Sequence, residues 1–462
     1  MTFVSKNSSL CPGASVFGAV DACKFAYQNF LVDSTDESNG ESKDICEFTR
    51  DSTDIILESN NIILESNIKD STGGSTDTIL ESNIIDSTGT IFESTKFDST
   101  DILANKSNAE SIKMALAGSS FRVISKFREI QSPKVVFWDS FYGDIGKLPK
   151  AAPGLEFFGH SFPQESFITC KDYLSVLLKR LQPSWYPITY CVSDSNIDSG
   201  SMLNEFPIFI GHWMEQQRTN PDTNVWIVKP ATSSRSRGIF VDRDLKSLLH
   251  HLENVLEQFT RSVVSQYILN PVLFKGLKFD LRFFVALKSI DEYFVYDEYI
   301  VRHALSPYDP NSNLNHIPTH MTVLQYFGIE GDTNCSSDDF LQFMEAEYGI
   351  QVHGVGGLIH KCHRVIAELF DFSTSQHIGS AGEIVGLLPD ARSRALYGID
   401  IMLHSLEQPM VLEVNYKPDL ARILERRPNF LIQTMELLFQ NQPAEENLFL
   451  HPRGCFVRLS KL

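Results

Sequence analysis

From Val135 to the C-terminus, strand-length runs of β-branched, aromatic and aliphatic residues recur between stretches with helical apolar spacing, and this alternation constrains the fold more than any other feature. The runs are VVFW, VWIVKP, RGIFV, VVSQYI, FDLRFFVALKS, YFVYDEYIVRHAL, ALYGIDIMLHS and PMVLEVNY. Between them, Thr169 followed by Leu174, Leu177, Leu178 and Leu181 predicts an N-capped amphipathic helix. Asp244 opens a second, striped by Leu245, Leu248, Leu249, Leu252, Val255, Leu256 and Phe259. Leu358, Cys362, Val365, Ile366, Leu369 and Phe370 mark a third, and Leu431, Met435, Leu438 and Phe439 a fourth behind Pro428. The expectation is an α/β or α+β fold in which order begins near Val135.

Upstream the character changes. From about residue 33 to 110 the chain repeats imperfect copies of DSTDIILESN with no helical period, which reads as a disordered acidic arm over residues 1–125. Short stacked strands of a β-solenoid are the alternative. Residues 51–110 hold 12 Asp or Glu against 3 Lys, so half of the formal charge of -18 sits in this segment. An acidic chain is a poor partner for nucleic acid, which needs a basic surface. The eight cysteines include no C-x-x-C pair, and no run of about 18 apolar residues or basic-then-apolar leader occurs. These features predict a reduced, soluble, cytoplasmic chain without membrane contact.

Three strands carry charge where a plain sheet would not. Asp400 and Glu413 interrupt apolar runs, and Asn415 stands two residues beyond Glu413, on the same face of its strand. If the two strands pair across HSLEQP, three oxygen donors converge, and Mg²⁺ is an economical reason to keep such carboxylates. Ion pairs to Arg392, Arg394 or Lys417 are the alternative. In KFDLRFF, Lys278, Asp280 and Arg282 share one face, lining either solvent or a polar cleft. In VWIVKPATSSRSRGIFV, Lys229 ends a strand before a loop rich in Ser, Arg and Gly, an arrangement that can lie over phosphates. GVGG at Gly354 to Gly357 reads as a loop or helix start, and His360 and His363 as surface or capping groups. No Walker loop, G-x-S-x-G elbow or kinase H-R-D and D-F-G pair is present.

The order of lysine and loop, K-x-D-x-R strand, then D followed by E-x-N resembles the tubulin tyrosine ligase-like family of ATP-grasp enzymes. The resemblance runs from about Phe157 to Leu462 and includes FFGHSFPQESFITCKDYLSVLLKRL, WYPITY, HMTVLQY and VLEVNYKPDLAR. It implies an ATP-grasp fold whose amino-terminal and central parts span 130–225 and whose catalytic part spans 226–462. It also implies ATP and Mg²⁺ as cofactors, and ligation of an amino acid co-substrate to the acidic C-terminal tail of tubulin, or a related acidic protein, through an acyl-phosphate. A microtubule- or cytoskeleton-associated location follows from the same resemblance. By it, Lys171 and Lys229 contact phosphate, and Gln266, Tyr267 and Ile268 form the adenine hinge. Lys278, Asp280 and Arg282 line the nucleotide and acceptor strand, Arg302 is a further phosphate contact, and Asp400, Glu413 and Asn415 hold Mg²⁺. Lys278, Arg282 and Arg302 are the catalytic candidates.

Three positions depart from the family's wording. Ser236 stands where glycine is usual, Val323 where asparagine is usual, and Ser265 where glutamine is usual. A non-catalytic nucleotide- and tubulin-binding protein is therefore the alternative. Just past the metal strand, Lys417, Arg422, Arg426 and Arg427 concentrate positive charge, which suits an acidic peptide lying in a groove. Pairing of these arginines with Asp419 and Glu425 on a solvated helix is the other reading of the same residues.

Overall fold

A computed structural model describes residues 100–104, 106–124, 129–138, 155–193, 204–234, 236–324, 327–375, 377–378, 384–440 and 454–459. The DSTDIILESN repeats up to residue 99 lie outside the described residues.

The first layer is a parallel sheet in the order β2-β1-β3-β4, built from β1 (Thr100–Leu103), β2 (Phe121–Ile124), β3 (Lys134–Phe137) and β4 (Glu156–Gly159). A helix, Lys106–Ala115, crosses from β1 to β2. Regular structure is thus already present at Thr100, upstream of the expected Val135. The reason is that TDIL at the end of the last repeat is an interior strand, covered on both edges. Asp101, wholly buried, anchors it: its carboxylate accepts from the Arg122 guanidinium at 2.7 and 2.9 Å, the Ser132 hydroxyl at 2.8 Å, and the amides of Gln131 and Ser132.

A second, antiparallel sheet runs β5-β8-β6-β7, from β5 (Thr189–Ser193), β6 (Trp226–Pro230), β7 (Phe240–Asp242) and β8 (Arg261–Gln266). The helix Leu245–Phe259 covers it with the expected leucine stripe, and the Asp244 carboxylate caps its first turn by accepting from the Ser247 amide at 2.7 Å.

The central sheet is organised around β10 (Leu277–Ser289). It pairs with β9 (Leu273–Phe274), β11 (Glu292–Tyr296) and β12 (Ile300–His303), and the sheet continues through β13 (Asn334–Cys335). A small hairpin, β14 (His377–Ile378) with β15 (Ile384–Val385), follows, then the long hairpin of β16 (Ala395–Ser405) and β17 (Gln408–Tyr416). β16 lies against β10, and β18 (Phe456–Arg458) closes the edge at β11.

Alternation along β10 separates two environments. Phe279, Leu281, Phe283, Val285 and Leu287 enter one core with Tyr397, Ile399 and Ile401 of β16 and the helix Leu358–Thr374. On the opposite face Phe284 and Ala286 join a second core with Ile102, Val136 and the helix Phe430–Phe439, whereas Lys278, Asp280 and Arg282 remain for the cleft. The helix foreseen behind Thr169 runs Lys171–Leu178, but Thr169 does not cap it: Thr169 ends a preceding short helix, Ser166–Thr169, and an extended Cys170 is the break between the two. The break lets the Lys171 amide donate to the Ala231 carbonyl at 3.1 Å and aims its side chain into the cleft. Gly357 caps the third helix as expected from GVGG, and His360 accepts from the Gly356 amide, but His363 is buried against Phe283 rather than exposed.

Candidate active site

The hairpin expected across HSLEQP is formed, and its register places Asp400 directly opposite Glu413. β10 then sets Arg282 opposite Asp400, and Asp280 opposite Arg302 of β12. Four strands therefore deliver their polar residues to one point, and Gly398 makes room beside it: a Cβ there would come within 2.8 Å of the Pro418 ring.

Arg282 grips Asp400 through two bonds of 2.7 Å, and Arg302 reaches the same carboxylate at 2.9 Å while holding Asp280 at 2.5 Å. Burial works to raise the Asp400 carboxyl, but the two guanidinium groups hold it well below the usual carboxylate range. In Asp280 burial wins over Arg302 and the carboxyl is raised. Its second oxygen accepts from the Thr322 hydroxyl. Asn415 donates to Asp400 at 3.2 Å and to Glu413 at 3.1 Å, and Lys171 pairs with Glu413 at 3.1 Å. The cations shown on these carboxylates are Arg282 and Arg302 on Asp400 and Lys171 on Glu413. Arg392 pairs with Asp390, and Arg394 donates to main-chain carbonyls.

Two further lysines line the cleft. Burial lowers the Lys229 ammonium to about 8 against the pull of Glu413, and burial together with the charge of Lys229 brings Lys278 to about 7. Lys278 donates to the Tyr267 hydroxyl at 2.5 Å and lies 4.1 Å from that ring's centre. Tyr267 in turn meets His320 at 2.9 Å, and burial with the Lys278 charge lowers His320 to about 4, so the ring is neutral.

One cavity is lined by Lys229, Gln266, Tyr267, Ile268, Lys278, Asp280, Arg302, Asp400 and Glu413. Lys171, Arg282 and Asn415 join it through the bonds just described, so all the candidate residues converge. The sequence reading missed its apolar end, formed by Pro187, Ile227, Ile239, Met321, Met402 and Leu412. Those side chains sit in ordinary strand and loop patterns and carried no signal of their own. Ser236 lines the same cavity at a left-handed φ of 56°, the conformation in which glycine would cost less. Val323 also lines it.

The arginine cluster past β17 is divided. The helix Ala421–Arg426 forms, but Arg427 turns to Glu298, while Arg422 donates to the Thr333 hydroxyl and Arg426 to the Cys335 carbonyl. Arg422 and Arg426 therefore line one cavity together with Lys275, whereas Arg427 leaves their face.

The sequence model of the Tubulin-tyrosine ligase family matches residues 159–448, which span every residue of this cleft. The chain belongs to the tubulin-tyrosine ligase family. Its α/β architecture is the ATP-grasp-like fold of that family. It is 29% identical over 348 residues to Tubulin--tyrosine ligase-like protein 12 of Homo sapiens, covering 70% of this chain and 48% of that protein. Its counterpart of the same name in Caenorhabditis elegans is 29% identical over 330 residues, covering 68% and 46%. Tubulin glycylase 3D of Tetrahymena thermophila is 27% identical over 258 residues, covering 53% of this chain and 24% of its own length. The chain thus spans about half the length, or less, of the curated relatives it matches. No helix among the described residues is long and apolar enough to cross a membrane.

Proposed function

We propose that this chain is an ATP-dependent carboxylate–amine ligase that joins an amino acid to a carboxylate of tubulin's acidic tail, or of a related acidic protein, in the cytoplasm. The observation that carries the reading is the charge of the cleft. Lys171, Lys229, Lys278, Arg282 and Arg302 face Asp280, Asp400 and Glu413, which leaves a surplus of two positive charges when all are ionised. That surplus matches the doubly negative complex of ATP with magnesium, and the apolar end beyond Tyr267 suits an adenine ring.

The donor set fits the metal. Asp400 and Glu413 offer carboxylate oxygens side by side, tied together by the Asn415 amide nitrogen, which suits Mg²⁺ shared with phosphates once the Asn415 amide turns its oxygen inward. When bound, magnesium–ATP supplies the phosphoryl group that activates a carboxylate toward an amine. The chain's own residues neutralise and orient. Lys229 and Lys278 bring positive charge to the cleft, Lys171 keeps Glu413 ionised, and Arg282 and Arg302 hold Asp400 ionised while presenting guanidinium donors to the acceptor side. Gln266 ends β8, and Tyr267 and Ile268 continue from it along the wall of the cavity where the base would lie.

A second reading, binding without efficient turnover, is favoured by two observations. Ser236 adopts a strained backbone conformation in the phosphate loop, and Val323 places an apolar side chain beside the Asp280–Thr322 pair. Calorimetric titration with magnesium–ATP, followed by ATP-dependent incorporation of labelled amino acids into tubulin, separates the two. Binding with incorporation supports the ligase, binding alone supports the second reading, and no binding rejects both.

A further inference from the structure

A short helix, Ile317–His320, ends beside the start of β10, and the residues there meet the polar face of that strand in step. Thr322 donates its hydroxyl to Asp280. His320, two residues earlier, stands across from Lys278, two residues before Asp280, with the Tyr267 hydroxyl between them. All five side chains line the cleft, and His320 is buried in its wall. The lysine, phenol and imidazole form a series with one sense. Lys278 as an ammonium has donors and no acceptor, so at 2.5 Å the Tyr267 oxygen accepts from it. The phenol proton must then go elsewhere, and the Nδ1 of His320 lies 2.9 Å away. A neutral imidazole carries one N–H, so an accepting Nδ1 leaves that proton on Nε2, which faces Ser312 Oγ at 3.4 Å. The ring's hydrogen bond to the Asn313 main chain favours protonation, as a ring donor meeting a carbonyl does.

Tyr308 is the rival acceptor for the phenol proton. It neighbours the Tyr267 hydroxyl, while its own hydroxyl donates to the Leu269 carbonyl at 2.5 Å. An imidazole nitrogen is the more basic acceptor of the two, and it stands at hydrogen-bonding distance. We propose that His320 is a positioning residue of the nucleotide site, whose Nδ1 takes the Tyr267 proton so that the Tyr267 oxygen holds Lys278 in place as an ammonium. This role rests on the ligase reading above and adds to it what supports the charge of Lys278. Burial and Lys229 work against that charge, and Asp280 favours it. Around the ring, Lys278 and His316 oppose a positive charge and Asp309 favours one; burial outweighs them and brings His320 to about 4, so it is neutral at pH 7. A charged His320 would turn Nδ1 into a donor and leave the Tyr267 O–H pointing at an ammonium that cannot accept it. Tyr267 also belongs to the wall where the base would lie, so this one side chain connects the base end of the cleft with Lys278.

The test uses the full chain and its variants, with melting temperatures to confirm that each folds. His320→Phe keeps a ring and removes the acceptor, which should lower the proton affinity of Lys278 about tenfold, roughly the worth of one bond to a charged group. Magnesium–ATP affinity, measured by calorimetry, should then fall about fivefold at pH 7 and about tenfold at pH 8, but only about twofold at pH 6, where about half of Lys278 stays charged. His320→Asn, whose amide oxygen stands near the place of Nδ1, should recover most of the affinity, and Tyr308→Phe should bind as the parent does. Without nucleotide, nitrogen-15 NMR of the histidine-labelled chain, with His320 identified by its loss in His320→Asn, should show at pH 7 a neutral ring protonated on Nε2. The placement of His320 is overturned if His320→Phe binds as the parent does, if its loss is the same at pH 6 and pH 8, or if His320→Asn is as weak as His320→Phe. It is equally overturned if Tyr308→Phe gives the pH-dependent fall instead, or if His320 carries its proton on Nδ1. A parent chain that binds no magnesium–ATP would remove the ligase reading, while the tautomer measured without nucleotide still judges the series.

Discussion

The two depressed lysines make nucleotide binding a pH-sensitive event whose size can be worked out. Burial lowers Lys229 to about 8 and Lys278 to about 7 in the free protein, so near neutral pH both are partly deprotonated. A polyphosphate beside them favours the charged form and returns both toward the ordinary lysine range. Binding therefore takes up protons: about 0.6 at pH 7 and about 1.4 at pH 8, if both lysines are fully charged in the complex. By linkage, affinity for magnesium–ATP should fall about tenfold, or about 1.4 kcal/mol, between pH 7 and pH 8, and more steeply above. The sign for folding is the reverse. A lysine with a lowered folded pKa binds fewer protons folded than unfolded, so the free protein should gain stability as pH rises from about 7 toward the unfolded value of 10.5. Titration calorimetry at pH 8 in two buffers of different ionisation enthalpy, HEPES and Tris, counts the protons directly. Lys278→Met should remove most of one proton from that count. A parent protein that binds magnesium–ATP at pH 8 with no proton uptake would refute the placement of these lysines beside the phosphates.

Four further outcomes are expected. Glu413→Gln keeps the side-chain shape but removes the charge facing Asp400 and Lys171, so the magnesium-dependent part of nucleotide affinity should vanish with little change in melting temperature; tight magnesium–ATP binding by the variant would show that the metal lies elsewhere. Lys229→Ala should weaken ATP binding by about 1.5 to 3 kcal/mol, the usual worth of a charge-assisted contact, measured at pH 7, where the lysine is mostly charged. Asp101→Asn removes the carboxylate that receives Arg122, Gln131 and Ser132, and should cost about 2 to 4 kcal/mol in denaturant unfolding; truncation at residue 125 should abolish cooperative unfolding, because it takes away the interior strand β1. An intact, equally stable fragment starting at residue 126 would show that the parallel sheet is dispensable.

Most of the chemistry was legible in the chain itself. Asp400, Glu413 and Asn415, or Lys278, Asp280 and Arg282, are polar side chains set at period two in strands that are otherwise buried. Charge at such positions is too costly without a purpose, so it shows in one dimension. The leucine stripe behind Asp244 and the helix after Gly357 were legible for the same reason, since local periodicity and a cap suffice. The TDIL strand was not, because its sequence repeats the phrase before it and only its two neighbours in the sheet make it interior.

What the sequence determined by itself, then, is the period of each strand and helix and the identity of the charged residues, because these follow from local spacing. Which charges meet was decided by register. Arg282 and Arg302 hold Asp400 because β10 and β12 pair where they do, and Arg427 leaves its neighbours because Glu298 lies across from it. The apolar end of the cleft and the series from Lys278 through Tyr267 to His320 depend on residues far apart in the chain coming together. Shape and burial of that kind have no one-dimensional signature, since each side chain becomes a wall or a partner only when the others are in place.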